Sequence, residues 1–237
     1  MAQKNTIYMR RKFVNGLSLG LSMLAMLFGL ASLATILGLI IFKGFDALNL
    51  ELFTRPMPVP GSEEIGGLQN AIVGSLMMVA TGTVIGTPIG VMAGIYLSEF
   101  GKSNWIASST RFINDILLSA PSIVVGIFVY TLMVATDTVL WDRGYSAWAG
   151  AVALAILVIP VVVRTTENML QLIPVALREA SAALGTPQWK TTTFVTVKAA
   201  MSGILTGVIL AIARISGETA PLLFTALADN NLVTNMS

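Results

Sequence analysis

Long apolar stretches alternate with short polar segments along this chain. Five of the stretches approach or exceed the roughly 20 residues that an α-helix needs to cross a bilayer. They cover about residues 17–42, 68–97, 112–134, 147–163 and 200–226. The pattern predicts an all-α, polytopic membrane helical bundle with about five spans, forming one transmembrane domain over residues 1–237. An odd number of spans is unusual for half of a transporter, so we expect a further helix to be missing from this sequence.

The first stretch has two interpretations, an uncleaved span or a secretory signal peptide. Arg10, Arg11 and Lys12 precede it, as basic residues precede the apolar core of a signal peptide. However, its apolar run of about 25 residues exceeds the roughly 7–15 residues of such a core, and no small-x-small cleavage site follows it. An uncleaved span is therefore favoured.

The composition agrees with a membrane location and excludes several kinds of chemistry. Of 237 residues, 55% are hydrophobic and 11% are charged, whereas soluble domains carry about 25% charged residues. The chain contains neither cysteine nor histidine. Disulfides, the usual zinc, haem and iron–sulfur ligands, and Ser-His or Cys-His nucleophile pairs are therefore excluded. We expect no metal centre and no enzyme activity of the chain's own.

Basic residues lie mainly in alternate polar segments. Residues 1–16, 98–111 and 164–199 hold ten of the 14 lysines and arginines, whereas 43–67 and 135–146 hold only three. Basic loops face the cytoplasm in membrane proteins. The distribution therefore predicts a cytoplasmic N-terminus. From the composition and the apolar stretches we expect a multi-pass protein of a bacterial inner (cytoplasmic) membrane.

The second stretch carries a glycine at every fourth position: Gly82, Gly86, Gly90 and Gly94. At 3.6 residues per turn these glycines lie on one slowly drifting helix face, where another helix can approach closely. Glycine is also generally frequent in membrane helices. The regular spacing favours a helix-packing face.

Arg214 and Glu218 are charges inside the fifth stretch. A charge at the centre of a membrane helix costs about 2.5–3.5 kcal/mol on insertion scales, so each needs a partner or water. At positions i and i+4 the two would share one helix face and could neutralise each other. Alternatively, Arg214 faces an aqueous path and contacts an oxyanion, for which a guanidinium is suited by its planar fork of donors, while Glu218 tunes or gates that contact.

Two further charges lie near predicted span ends. Arg164 follows the fourth stretch and is either an anchor that reaches the lipid headgroups or a second basic residue of the substrate path. Asp115, near the start of the third stretch, is a candidate partner for a basic residue on another helix.

Gly101-Lys102-Ser103 resembles the end of a phosphate-binding loop. The pattern G-x-x-x-x-G-K-[ST] requires glycine at position 96, where Tyr96 stands. The segment also follows a membrane helix rather than a strand. We therefore predict that this chain binds no nucleotide and no cofactor of its own.

The polar segment 164–199 contains a short amphipathic helix. Its pattern around residues 177–184 is helical, Gly185 ends it, and a turn at Thr186-Pro187 leads to a second helix start. Such a helix between two spans, with small residues and a carboxylate, could dock into a groove of a partner protein.

This segment resembles the EAA loop of ABC-importer permeases, whose pattern is E-A-A-x-x-x-G. Glu179, Ala180 and Gly185 match in spacing, and Ser181 replaces the second alanine. The resemblance implies a type I importer permease (MetI-like) fold. It also implies that Glu179, Ala180 and Gly185 form a coupling helix that docks on an ATPase subunit.

Three further segments are similar to PstA-type permeases of phosphate importers: residues 67–76, 93–100 and 213–226. The last has the sequence A-R-I-S-G-E-T-A-P-L-L-F-T-A and includes Arg214 and Glu218. The likeness implies a permease subunit of an ATP-driven phosphate importer, with Arg214, Glu218 and Arg164 on the substrate path. Members of this family usually have a sixth span after the point where this sequence stops.

The same resemblance implies a set of partners. These are a second, PstC-like permease, two PstB-like ATPase subunits that hold ATP and Mg, a PstS-like periplasmic phosphate-binding protein, and membrane lipid, with no nucleic acid. Three alternatives share parts of the pattern. They are an importer of another oxyanion (sulfate, molybdate or a phosphonate), a secondary transporter that needs no ATPase, and a membrane-embedded enzyme.

Overall fold

The computed structural model describes residues 2–45, 48–58, 66–101, 104–136 and 144–227, with side chains from residue 7 onward. Within these ranges every regular element is helical, so the predicted all-α class is confirmed. Two compact units divide the chain, Met1–Thr54 and Arg55–Ser237.

The first unit contains the long helix α1 (Ala2–Gly44) and a single turn, α2 (Glu51–Thr54). Helix α1 includes the apolar stretch 17–42 and begins well before it. No proline interrupts residues 2–44, and lysine, arginine, methionine and leucine favour helix. The basic N-terminal segment is therefore continuous with the apolar helix, of which Ile7–Gly44 is long and apolar enough to cross a membrane.

The described part of the second unit contains seven helices. They are α3 (Gln69–Phe100), α4 (Trp105–Ser119), α5 (Ser122–Val134), α6 (Ala147–Gln171), α7 (Val175–Ala183), α8 (Gln188–Ser216) and α9 (Ala220–Thr225). Helices α3, α5 and α8 include π-helical segments at Tyr96–Phe100, Tyr130–Val134 and Thr191–Thr196. By length and composition α3, α6 and α8 could each cross a membrane, as could α4 and α5 together. With α1 these make up to five spans in the described part of the chain.

The predicted third span, 112–134, is broken into α4 and α5, which meet at an angle of 104°. Pro121 lies at the break; it lacks a backbone N–H, and its ring would clash with the carbonyl of Leu117 if the helix continued. Ala120 before it is extended, with φ −67° and ψ 137°, as residues before proline usually are. The helix also begins earlier than the predicted residue 112, because α4 begins at Trp105. Asn104 caps it by accepting a hydrogen bond from the Ile106 N–H at 3.3 Å.

The predicted fifth span, 200–226, is also not one continuous helix. Helix α8 ends at Ser216, and Pro221 occupies the first turn of α9. A continuous helix would set the Pro221 ring against the carbonyl of Gly217 and lose one hydrogen bond. The break therefore lies at Gly217–Thr219, between the two helices.

The polar segment between the fourth and fifth spans is shorter than the predicted 164–199. Helix α6 continues to Gln171 because its last two turns bury Thr166, Glu167 and Leu170 against neighbouring helices. Helix α8 already begins at Gln188. Only residues 172–187 remain between them, and α7 occupies their centre.

Helix α6 is the centre of the second unit. Its buried residues Leu154, Leu157, Val158, Val161 and Val162 form one hydrophobic cluster with residues of α3, α5 and α8. Helix α3 runs parallel to α6, because Gly82 lies against Ala151 and Gly94 against Thr166. Helix α8 runs antiparallel, because Gly203 lies against Met169 and Gly207 against Thr165.

The four glycines of α3 all lie on its buried contact with α6. A Cβ at Gly86 would stand 3.0 Å from the Ala155 carbonyl oxygen, one at Gly90 2.8 Å from Val162 Cβ, and one at Gly94 2.6 Å from Thr166 Cβ. These distances are shorter than van der Waals contact between carbon atoms. The two backbones thus approach to a distance that only glycine permits, as at other close helix contacts in membranes.

Candidate functional site

Helix α7 presents one face outward at the end of the unit where α3 and α6 terminate. Glu179, Ala180 and Gly185 are all exposed, and Leu184 is 85% exposed. Gly185 has φ +74°, a conformation that glycine adopts at low cost. Its N–H donates to the Ala182 carbonyl at 2.9 Å, and the next N–H, of Thr186, donates to the Ser181 carbonyl at 3.3 Å, the two bonds that close a helix at a left-handed glycine.

The opposite face of α7 is bonded to the helices behind it. Arg178 Nη2 donates to Glu99 Oε1 and to the Leu170 carbonyl, and its Nη1 donates to the Ile173 carbonyl, each at 2.8 Å. The Ser181 hydroxyl is buried and lies 2.8 Å from that of Thr191. The serine that departs from the EAA pattern therefore faces inward, away from the exposed surface of α7.

A second buried ion pair lies beside the first. Arg111 of α4 donates from Nε to Glu167 Oε1 at 2.7 Å and from Nη2 to the Leu97 carbonyl at 2.8 Å. The Glu167 side chain is only 4% exposed and also accepts from Gln171 at 3.2 Å. This pair connects α4 with the ends of both α3 and α6.

The sequence analysis did not identify Glu99, Arg111, Glu167 or Arg178 as partners. The residues of each pair lie 56 and 79 positions apart, so no local spacing relates them. One signal was available, because Glu99 and Glu167 are acidic residues in segments whose charged residues are mostly basic. A carboxylate in a mainly basic segment can be expected to pair with one of the nearby cations.

Arg214 and Glu218 do not share a helix face. Arg214 lies in the last turn of α8, whereas Glu218 lies in the break before α9. Among the described residues neither side chain forms an ion pair with the other or with a third residue. The interpretation as a mutually neutralising i, i+4 pair is therefore wrong. The helix break at Gly217 is the reason.

Arg214 is exposed on the surface of this chain, and Glu218 is half-buried. Gly207 of α8 packs on Thr165, so Arg214 lies two helical turns, or about 10 Å, further along α8. Arg164, adjacent to Thr165, is thus at a different depth from Arg214. The structure does not bring these two predicted path residues into contact.

Arg164 instead lies near Asp115 of α4, with Nη1 4.0 Å from Oδ1. The predicted pairing of Asp115 with a basic residue of another helix is therefore confirmed. Both side chains are about half exposed, at 48% and 57%. This loose pair differs from the two short, buried pairs at the α7 end.

No group of three or more potential metal-ligating side chains occurs in the described part of the chain. Lys102 and Ser103, which suggested a nucleotide loop, lie outside the described residues.

Comparison with known proteins defines the class to which this arrangement belongs. Residues 86–230 match the family of inner membrane components of binding-protein-dependent transport systems. This range includes the ion pairs, the exposed helix α7 and the break after Arg214. The chain belongs to that family and is a component of the inner membrane.

Several similar curated proteins are phosphate transport system permeases of the PstA type. The chain is 54% identical to PstA of Yersinia pestis over 99% of its own length and 77% of that protein. It is 56% identical to PstA of Pasteurella multocida over 95% of its length and 78% of the relative. The resemblance to PstA-type permeases is thereby confirmed.

Solved structures support the fold independently. A methionine ABC transporter, MetNI, in an inward-facing conformation matches with a TM-score of 0.53 and 23% identity, covering 61% of this chain and 67% of that one. At this identity the match concerns the fold alone, and it confirms the MetI-like helical arrangement.

Proposed function

We propose that this chain is a membrane-spanning subunit of an ATP-driven phosphate importer. The observation that carries the proposal is helix α7, whose outer face exposes Glu179, Ala180 and Gly185 while its inner face is bonded to α3, α6 and α8. A helix whose outer face is exposed and whose inner face is bonded to other helices is suited to transmit movement from a docked partner. Phosphate is proposed because the similar permeases at 54–56% identity are named as phosphate transport subunits.

The proposed partners follow from the similarity to PstA-type permeases and from the exposed face of α7. A second, PstC-like permease would complete the translocation path, and two PstB-like ATPase subunits would dock at α7 on the cytoplasmic side. ATP and Mg would bind to those ATPases, and this chain would bind no cofactor. A PstS-like periplasmic phosphate-binding protein would deliver the substrate from the other side.

Arg214 supplies the anion contact in this proposal. Its guanidinium is exposed and has no ion-pair partner among the described residues, so it is available to a hydrated oxyanion. Glu218, in the helix break, limits the local positive charge. Arg164 of α6 provides a second basic group, at a level about 10 Å from that of Arg214 along the helix axis, and it is partly neutralised by Asp115. Weak, spaced contacts allow phosphate to leave the path after it has entered.

ATP binding and hydrolysis would rock the two permeases between outward-facing and inward-facing states, as in other alternating-access transporters. The break between α4 and α5 at Pro121 and that between α8 and α9 at Gly217 are places where helices can change their relative angle. Helix α7 would move with the cytoplasmic ends of α3 and α6.

The test is uptake of radiolabelled phosphate into proteoliposomes that contain the complete importer, with ATP hydrolysis measured in parallel. We expect ATP-dependent phosphate uptake that a large excess of sulfate does not inhibit. Inhibition by sulfate, molybdate or a phosphonate would assign another oxyanion. Uptake that persists without the ATPase subunits would indicate a secondary transporter, and chemical conversion of the substrate would indicate an enzyme.

A further inference from the structure

Arg178 and Glu99 together hold helix α7 on the helices behind it. We propose that this pair, which we call the latch, makes α3, α6 and α7 move as one rigid body during transport. Arg178 and Glu99 are then positioning residues for the coupling of ATP hydrolysis to substrate movement. The inference rests on the proposed function, because it names residues through which a docked ATPase would act.

The contacts of Arg178 join three helices at one point. From α7, its guanidinium reaches the Leu170 and Ile173 carbonyls at the end of α6 and the Glu99 carboxylate at the end of α3, all at 2.8 Å. The Leu170 carbonyl is among the last of α6, where few backbone donors follow, and it also accepts from the Ile173 N–H at 3.2 Å. Arg178 therefore adds a charged donor at the end of one helix and neutralises a carboxylate on another.

Burial makes this contact strong. The side chains of Arg178 and Glu99 are only 20% and 7% exposed. A charge-assisted hydrogen bond in such surroundings is weakly screened by water. Separation of the pair would leave a buried carboxylate without its cation, which is unfavourable. The latch therefore resists opening when a force is applied to α7.

The other hydrogen bonds that could connect α7 with α3 are weak or absent among the described residues. Gln188 donates to the Glu99 carbonyl at 3.4 Å, a long hydrogen bond. The Ser181–Thr191 contact connects α7 with α8, not with α3. By contrast α3 and α6 are closely packed from Gly82 to Gly94, through Gly82, Gly86, Gly90 and Gly94. Arg178 is thus the strong direct contact from α7 to α3, and α3 is in turn packed on α6, the helix that precedes α7 in the chain.

The backbone of α3 is adapted to place Glu99. Residues Tyr96–Phe100 form a π-helical turn, which contains one residue more than an α-helical turn. In a continuous α-helix Glu99 would point in a different direction around the axis. Such π-helical turns are rare and often lie at functional positions.

Arg111 and Glu167 provide a matched control pair. They are equally short at 2.7 Å and equally buried on the carboxylate side, and Arg111 also reaches a carbonyl of α3, that of Leu97. They connect α4 with α3 and α6 but do not touch α7. If general damage to this end of the bundle lowered coupling, both pairs would show it.

The experiment compares Arg178→Lys with Arg111→Lys in the complete importer in proteoliposomes. Lysine keeps the charge but cannot present the guanidinium fork to three acceptors. For Arg178→Lys we expect ATP hydrolysis to continue while phosphate imported per ATP falls by about tenfold, within the usual range of coupling between sites. For Arg111→Lys we expect the same ratio as in the wild type.

A covalent rescue supplies the second measurement. The chain has no cysteine, so Glu99→Cys with Arg178→Cys can be joined by a short bismaleimide, with each single variant as a control for reaction elsewhere. The uncross-linked double variant should be uncoupled, and cross-linking should restore the ratio. Charge reversal is less suitable, because a glutamate at position 178 would face the Leu170 and Ile173 carbonyls.

The outcomes separate the latch from the proposed function. An unchanged ratio in Arg178→Lys would overturn the latch, as would an equal loss in Arg111→Lys or a cross-linked complex that stays uncoupled. A wild-type complex without ATP-driven phosphate uptake would instead refute the proposed function.

Discussion

The arginines of the second unit fall into two groups that differ in how their charge is satisfied. At the α7 end, Arg111 and Arg178 are paired with carboxylates at 2.7 and 2.8 Å and also bind helix-terminal carbonyls. Further along α6 and α8, Arg164 has a loose partner at 4.0 Å, and Arg214 is exposed with no ion-pair partner among the described residues. The same side chain is thus used in one region as a permanent link and in the other as an available charge.

This difference follows from the work that each region is proposed to do. A docking helix must not move independently of the helices behind it, and Arg178 of α7 is bound to one carboxylate and two carbonyls of those helices. A path residue must release its anion, so its guanidinium cannot already be held by a carboxylate at 2.8 Å. Substitutions in the first group should therefore act on stability, and at Arg178 also on coupling, whereas those in the second group should act on uptake.

The largest expected effect is that of Arg111→Ala on stability. It leaves the Glu167 carboxylate, 4% exposed, without its cation, which typically costs about 3–5 kcal/mol. We expect a markedly lower unfolding temperature of the purified complex in detergent. Arg164→Ala is the control, because exposed pairs contribute about 0–1 kcal/mol. Equal unfolding temperatures for the two variants would remove the distinction between the regions.

Arg214→Ala should show the reverse pattern. Loss of a charge-assisted hydrogen bond to the anion, worth about 1.5–3 kcal/mol, should lower phosphate uptake by about 10- to 100-fold with no change in unfolding temperature. Arg214→Lys should give an intermediate rate, since it keeps the charge without the fork. Ser216→Ala, an exposed neighbour whose hydroxyl only bonds the Ile212 carbonyl, is the control. Normal uptake by Arg214→Ala would make this arginine structural.

Substitution at the α3–α6 contact tests whether close packing holds these two helices together, as the proposed rigid body of α3, α6 and α7 requires. A methyl group at Gly90 would lie 2.8 Å from Val162 Cβ, and overpacking of this kind costs about 1–3 kcal/mol. We expect Gly90→Ala to lower the unfolding temperature. Gly74→Ala, in the same helix with nothing within 4 Å of the added Cβ, should be neutral or stabilising. Equal unfolding temperatures for Gly90→Ala and Gly74→Ala would show that stability does not depend on the close approach of α3 to α6.

The sequence predicted the elements better than their ends and better than their contacts. Apolar length located the spans, because the bilayer imposes it, and the spacing of Gly82 to Gly94 indicated the face that lies on α6. Pro121 accounts for the break between α4 and α5, because proline interrupts a helix, whereas the break at Gly217 was not predicted. There the apolar run continues through Pro221, so hydrophobicity alone does not indicate that proline interrupts the helix.

The buried ion pairs were beyond prediction from one sequence. Arg111 and Glu167 meet only because α4 crosses the ends of α3 and α6, and that crossing depends on tertiary packing. The EAA-like motif did locate the exposed face of α7. It did not indicate that Arg178, directly before Glu179, faces the other way.

The smallest expected effect concerns Ser181, where the EAA pattern has alanine. Its hydroxyl lies 2.8 Å from that of Thr191, and both residues are buried. Ser181→Ala would match the motif yet leave the Thr191 hydroxyl without this partner, and an unsatisfied buried hydroxyl costs about 1–3 kcal/mol.

Two factors place the effect of Ser181→Ala at the low end of that range. The Thr191 hydroxyl can turn toward a carbonyl of its own helix, and alanine is the better helix former. We expect a slight fall in unfolding temperature and unchanged phosphate imported per ATP, because this contact joins α7 to α8 rather than to α3. Ser181→Ala combined with Thr191→Val, which removes both hydroxyls, should recover most of the lost stability. A fall in the transport ratio as large as that of Arg178→Lys would mean that α8, and not only α3 and α6, moves with the docking helix.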